Sequence, residues 1–255
     1  TVEVEVLSGN SAPTDIGLTS TSVNENAGSN ATVGTLSRID PDNDAATYTL
    51  VSGDISHFNI SGTNLRATNS FDYESKSSYS ITIRVTDSGG LPYDEAFTIT
   101  VNDVNEAPVV TNFNKSGTED TSLTFAKTNF TEQFTDVENE GLSMIKITSL
   151  PANATLKLED SDIALNDNIS LENISKIKLE PNLNWNGESS FEYKARDSEL
   201  WTASSATVTI TIAAVNDLPI IDNFSVNGTE DTSLTFAKTD FTEQFTDVEN
   251  EELNM

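Results

Sequence analysis

The sequence contains no cysteine and a single histidine, His57. A disulfide framework is therefore excluded, and with it thiolate catalysis and thiolate metal sites. The lack of cysteine does not place the chain in a reducing compartment, because an exported protein can tie down small domains with metal ions instead. Basic residues are also scarce: 13 Lys and Arg stand against 41 Asp and Glu, a net charge of −28. A surface of that sign repels nucleic-acid phosphates and anionic lipid and attracts cations, so nucleic acid is not an expected partner. No apolar run approaches the roughly 20 residues that span a bilayer, and no basic-then-apolar segment opens the chain.

Catalytic signatures are missing as well. There is no Gly-x-Ser-x-Gly elbow and no glycine-rich phosphate loop ahead of a helix. His57 lies in a strand-like run from Ile55 to Ile60 and reads as structural or solvent-facing. Paired carboxylates can hydrolyse glycosides, but nothing here supplies the cleft. The chain is expected not to be an enzyme.

What is present is repetition. Residues 117–140 and 228–251 are 24-residue stretches offset by 111 positions, and they differ only at Asn129 against Asp240. A coarser landmark recurs at Asn10-Ser-Ala-Pro13, Asn105-Glu-Ala-Pro108 and Asn216-Asp-Leu-Pro219, each after an alternating run. Proline fixes its own backbone and biases the preceding residue to an extended state, which suits a stiff linker. These landmarks divide the chain into residues 1–11, the last strand of a truncated upstream repeat; 12–106 and 107–217, two full domains; and 218–255, the truncated start of a third repeat. The chain then reads as a fragment of a longer array.

The apolar pattern is that of strands. Tyr79, Ile81, Ile83 and Val85 alternate with polar residues, as do Phe97, Ile99 and Val101, and Ala206, Val208, Ile210 and Ile212. Period two marks a half-buried strand. Turn clusters such as Asp40-Pro-Asp-Asn-Asp44 and Asp87-Ser-Gly-Gly90 intervene, and only Thr128–Phe134 and Ser170–Lys176 suggest a helical turn. The fold class is therefore all-β: tandem Ig-like Greek-key β-sandwich domains arranged end to end.

Acidic landmarks follow in a fixed order through residues 12–108: Asn24-Glu25-Asn26, Asp40-Pro41-Asp42, Phe71-Asp72-Tyr73-Glu74, Asp87, and Asp103-Val104-Asn105-Glu106-Ala107-Pro108. In that order they resemble a cadherin repeat. The resemblance implies a calcium-binding junction on Glu25, Asp72, Glu74, Asp103, Asn105 and Glu106, completed by Asp136, Glu138 and Asp197 of the following domain. It also assigns Asp40, Asp42 and Asp87 to a junction with the missing upstream domain. Calcium takes six to eight oxygen ligands, more than one short loop supplies here.

Residues 107–217 are similar to the cadherin-like tandem repeats of large bacterial surface adhesins, through Thr118-Glu119-Asp120-Thr121, Ile147–Leu158, Asn184-Trp-Asn-Gly187, Phe191-Glu-Tyr193 and Ala206–Asn216. Here Asn184 and Asn186 stand near where the acidic box belongs. The second junction, on Glu119, Asn216, Asp217, Asp247 and Glu249, is expected to hold fewer ions. The remaining acids, such as Glu132 and Glu159, read as surface charge.

The likeness implies a calcium-dependent spacer or adhesion module at a bacterial cell surface. Its partners would be neighbouring repeats of the same chain and other cell-surface proteins or glycans. The competing reading is a recognition module that binds carbohydrate or a second copy of itself. Trp185 and Trp201 form a candidate sugar-stacking pair, although both also suit turn and hairpin positions beside core strands. Residues 1–12 lack the N-terminal Trp that classical animal cadherins use for strand exchange, which argues against homophilic adhesion. Sequons at Asn30, Asn153 and Asn168 matter only along a eukaryotic secretory route.

Overall fold

The computed structural model describes residues 9–253. Most of the run assigned to an upstream repeat, residues 1–8, lies outside the described residues. The chain forms two compact units that meet in sequence between Asn105 and Glu106.

The first unit contains β1 (Asp15–Leu18), β2 (Ser22–Asn24), β3 (Thr32–Ile39), β4 (Ala46–Gly53), β5 (Phe58–Ser61), β6 (Asn64–Ala67), β7 (Ser78–Asp87) and β8 (Pro92–Asn102). They make two four-stranded sheets, ordered β1-β3-β6-β5 and β2-β8-β7-β4. The opening strand is divided between the sheets: β1 runs antiparallel to β3, whereas β2 runs parallel to β8 with Val23 opposite Val101. The alternation seen in the sequence is the burial pattern: Tyr79, Ile81, Ile83, Val85, Ile99 and Val101 face the core, while Phe97 is half-buried. Each such side chain contributes about 1.5–3 kcal/mol on burial.

The run Ile55–Ile60 is not one strand. Ile55–His57 form a 3₁₀ turn, and the strand begins at Phe58. The cause is Gly53, whose φ of +89° ends β4; a Cβ there would lie 2.1 Å from the Ser80 carbonyl oxygen. The turn places His57 against Tyr79, with ring centroids 4.8 Å apart, beside Phe58 and Phe71. The histidine thus caps an aromatic cluster.

The second unit contains β9 (Val109–Val110), β10 (Phe113–Thr118), β11 (Leu123–Thr124), α1 (Lys127–Thr131), β12 (Phe134–Thr135), β13 (Met144–Ser149), β14 (Ala154–Leu158), β15 (Ser161–Asp162), β16 (Asn168–Ser170), β17 (Ile177–Pro181), β18 (Gly187–Arg196) and β19 (Ala206–Ala213). Sheets ordered β10-β19-β18-β13-β16 and β11-β17-β14-β15 enclose the core. Strand β10 runs parallel to β19 over six register pairs. Phe113, Phe125, Phe130, Phe191 and Tyr193 pack largely edge to face, an arrangement favoured by the ring quadrupole. Burial pushes the Tyr193 phenol well above its ordinary range, and its hydroxyl donates to the Thr111 carbonyl. Of the two expected helical turns, one is α1, and the other is a single 3₁₀ turn at Ile174–Lys176.

The duplicated stretch repeats the helical turn and the short strand that follows it, although Leu234–Thr235, the counterparts of β11, form no strand. Beyond β19 follow β20 (Ile220–Ile221), α2 (Lys238–Thr242) and β21 (Phe245–Thr246), and β20 pairs with β21 as β9 pairs with β12. The one substituted position keeps its task. Asn129 Oδ1 accepts the Ala126 N–H at 3.0 Å, and Asp240 Oδ2 accepts the Ala237 N–H at 2.8 Å.

Candidate metal centre

Four groups of acids lie at loop ends, two in each unit. In the first unit, Glu25 follows β2 and is 2 % exposed. A buried carboxylate needs donors, and Glu25 has two from the backbone: Oε2 accepts Tyr73 N–H at 2.7 Å and Oε1 accepts Val104 N–H at 2.8 Å. It therefore ties the Phe71–Glu74 box to the end of β8. A Glu74 carboxylate oxygen lies within 4.8 Å of one from Glu25. Asp72 accepts the Ser75 N–H and hydroxyl, both at 2.9 Å, and these bonds hold its carboxyl below the usual range. Asp103 is exposed and Asn105 half-buried.

At the other group of this unit, oxygens of Asp40, Asp44 and Asp87 lie within 4.8 Å of one another. Asp40 Oδ1 accepts the N–H groups of Asp42 and Asn43, and Asp44 accepts the N–H and hydroxyl of Ser88. Burial works against the charge of Asp87, but donors from Leu91 N–H, the Asn10 amide, and the N–H groups of Gly90 and Gly89 outweigh it and leave its pKa lowered. Asp40 Oδ2 and Asp44 Oδ1 are buried with no hydrogen-bond donor. The sequence suggested Asp42 for this group. Its Oδ2 instead accepts the Ser11 N–H at 2.6 Å, and Asp44 takes the third place. The alternating acids of Asp40-Pro-Asp-Asn-Asp44 carried that signal.

In the second unit, Glu106, Asp136, Glu138 and Asp197 come together. Glu138 Oε1 accepts the Glu106 N–H at 3.2 Å, and Asp136 Oδ1 accepts the Glu140 N–H at 2.9 Å. Asp197 is fully buried at the end of β18, and its Oδ1 accepts from Glu199 and Leu200 N–H. Asp136 Oδ2 and Glu138 Oε2 are buried without a donor. Burial pushes the Asp136 carboxyl up, the charges of Glu138 and Asp197 push it further, and the Glu140 N–H only partly compensates.

The fourth group repeats these contacts. Glu119, 1 % exposed, accepts the Val215 N–H at 2.7 Å as Glu25 accepts that of Val104. Its other oxygen faces the Asn186 amide at 3.4 Å, where Glu25 has a backbone donor from the acidic box. Glu249 accepts the Asp217 N–H, and Asp247 accepts that of Glu251. Burial raises the Asp217 pKa, followed by repulsion from Asp120, Glu249, Glu119 and Asp247. Asp120 was missing from the sequence-derived set; it adopts a φ of +58° beside Glu119, inside the Thr118–Thr121 motif. Asn216 turns its amide to the Asp217 carbonyl.

The donor set is all oxygen, carboxylate-rich and held by backbone N–H groups, and three of the four groups contain buried acceptor oxygens that lack donors. That chemistry fits a hard divalent cation such as calcium. Two like charges about 4 Å apart repel by roughly 1 kcal/mol in water and several times that when partly buried. An ion of charge +2 converts this repulsion to attraction. Among the described residues, no helix is long and apolar enough to cross a membrane.

Comparison with known proteins agrees with the architecture. Residues 19–102 match the model of the cadherin domain, and residues 104–213 match that of the cadherin-like domain. None of the curated proteins compared with the chain matches it significantly. The chain is similar to two crystal structures of human protocadherin-24 EC1-2. One has a TM-score of 0.57 at 22% identity, over 80% of this chain and 98% of that one. The other has a TM-score of 0.51 at 16% identity, over 81% and 100%. At such identities the likeness concerns the fold. Both matched families are extracellular repeat modules of the adhesion type. The chain thus carries a cadherin domain followed in tandem by a cadherin-like domain.

Proposed function

We propose that this chain is a calcium-dependent spacer and adhesion module of a large bacterial cell-surface protein. Its domains run over residues 12–106 and 107–217, and a third repeat opens at 218. One junction takes ligands from Glu25, Asp72, Glu74, Asp103 and Asn105 of the first domain and from Glu106, Asp136, Glu138 and Asp197 of the second. Glu119, Asp120, Asn216, Asp217, Asp247 and Glu249 serve the next junction, and Asp40, Asp42, Asp44 and Asp87 face the preceding repeat.

The observation that carries this reading is the set of buried, donorless carboxylate oxygens on Asp40, Asp44, Asp136, Glu138 and Asp217. A group left in that state costs free energy unless a cation satisfies it. Extracellular modules bind calcium at roughly 10⁻⁴ to 10⁻³ M, so such sites are empty in a cytosol and filled outside a cell. Near-identity of the two 24-residue stretches also suits a spacer, in which length grows with copy number. The test is a calcium titration followed by thermal melting, with Asp103→Ala and Glu74→Ala as controls. Calcium raises the melting temperature of the parent and less that of the variants. If neither chelator nor substitution moves it, the metal assignment falls.

A further inference from the structure

In a chain with 41 acids against 13 bases, three of the bases meet on one sheet face of the second unit. Lys146 on β13 stands directly opposite Lys194 on β18, and Arg196, two positions along the same face, stands opposite Met144. Like charges placed opposite one another across a ladder are destabilising, and an acid at either position would remove the cost. Among the described residues, none of the three has a carboxylate within ion-pair distance. Lys194 Nζ donates to the Ala203 carbonyl at 2.8 Å, and the Arg196 guanidinium donates to the Glu199 carbonyl. The Glu140 carboxylate is engaged by the Ser198 N–H, and Glu192 is the next residue along the same face of β18.

An aromatic ring lies against these cations. A bridge between Arg196 and Trp201 pins the loop that leaves β18, and the Trp201 ring sits 4.4 Å from Lys146 Nζ. Each ammonium has three N–H directions, so one contact leaves two for a ligand. The guanidinium fork matches a carboxylate or sulfate group. Trp201 adds an apolar surface on which the C–H face of a sugar ring packs.

We propose that Lys146, Lys194, Arg196 and Trp201 form a binding site for a short acidic saccharide, one bearing carboxylate or sulfate groups. The ligand is short because the rest of the chain repels a long polyanion, whereas contacts inside a Debye length of about 10 Å escape most of that field. The site is independent of the metal reading, since none of its residues is a calcium ligand.

The test uses the whole chain in chelator, so that calcium cannot bridge acidic sugar to acidic protein. Trisaccharides of galacturonate, a sulfated trisaccharide, a neutral trisaccharide and an oligoglutamate of equal charge are titrated at about 0.1 M salt, where the Debye length is about 10 Å, and followed by calorimetry and amide NMR. Binding of either acidic sugar, with shifts around Lys146 and Lys194, supports the site and shows whether carboxylate or sulfate is preferred. Lys146→Gln and Lys194→Gln are each expected to weaken it about fivefold, the scale of one exposed ion pair. Each variant relieves the cross-strand repulsion but gives up one exposed contact, so melting temperatures are expected to stay near that of the parent, and a melting curve for each separates lost binding from misfolding. Equal binding of the neutral sugar or of oligoglutamate, no binding of either acidic sugar, or binding indifferent to both Lys variants would overturn the proposal.

Discussion

Replacing Asp136 with Asn gives effects of opposite sign in chelator and in calcium. The amide oxygen can still accept the Glu140 N–H that Oδ1 accepts now, so local geometry is kept. What changes is the charge, which burial raises in energy first and the repulsion of Glu138 and Asp197 raises further. For like charges roughly 5 Å apart, repulsion is close to 1 kcal/mol per pair with water-like screening and about 3 at an effective dielectric of 20. The lower figure is appropriate because Asp136 is only half-buried. One kcal/mol shifts melting by roughly 4 °C for a domain slightly larger than 100 residues. In chelator, Asp136→Asn is therefore expected to melt several degrees above the parent. In calcium at 100 times its dissociation constant, the parent gains about 2.7 kcal/mol, and the variant forfeits much of it through loss of a charged ligand. Scanning calorimetry of both proteins, with and without chelator, gives the crossing. If Asp136→Asn melts below the parent in both conditions by the same amount, Asp136 acts as a fold residue and the argument from crowded charge fails.

The same groups set a pH dependence. Asp136 and Asp217 have pKa values raised in the folded state, so between the ordinary value of 3.8 and the raised one the native form binds more protons than the unfolded form. Stability in chelator then rises as pH falls from 7 into that window. It declines only further down, where Asp54, Asp72, Asp87 and Asp94, whose pKa values are lowered, take up protons. Melting temperature against pH in chelator should pass through an acidic maximum that calcium removes. Glu25→Ala addresses the scaffold itself: it leaves the Tyr73 and Val104 N–H groups without their acceptor, at a cost of up to about 1–3 kcal/mol for the half-buried Tyr73 donor and less for that of exposed Val104. It should lower melting even in chelator, and an unchanged chelator melt would show that Glu25 serves the ion alone.

Long strands were legible because one face is core and the other is solvent: the alternation through Tyr79–Val85 and Ala206–Ile212 is the burial pattern itself. Ile55–Ile60 misled because Ile55 looks like a strand residue, whereas the left-handed Gly53 breaks the register before it. At the acid groups, the sequence located the loops but not which carboxylate turns inward. Asp42 and Asp44 are the same residue type, each two positions after an aspartate. The choice between them depends on Ser11 N–H engaging one and Ser88 engaging the other. Asp120 is not legible in the sequence because its neighbour Glu119 already matches the landmark, and only the left-handed turn at Asp120 adds it to the group around Asp217.

In each unit a strand near the start runs parallel to the long strand that closes the sandwich, β2 with β8 and β10 with β19. A chain so arranged enters its sandwich at one pole and leaves at the other. Tension applied through the termini then loads that terminal ladder in shear, so its bonds must fail together rather than open one after another. The clamp spans six residue pairs in the second unit and three in the first. Under tension, the shorter ladder of the first unit is expected to fail before that of the second.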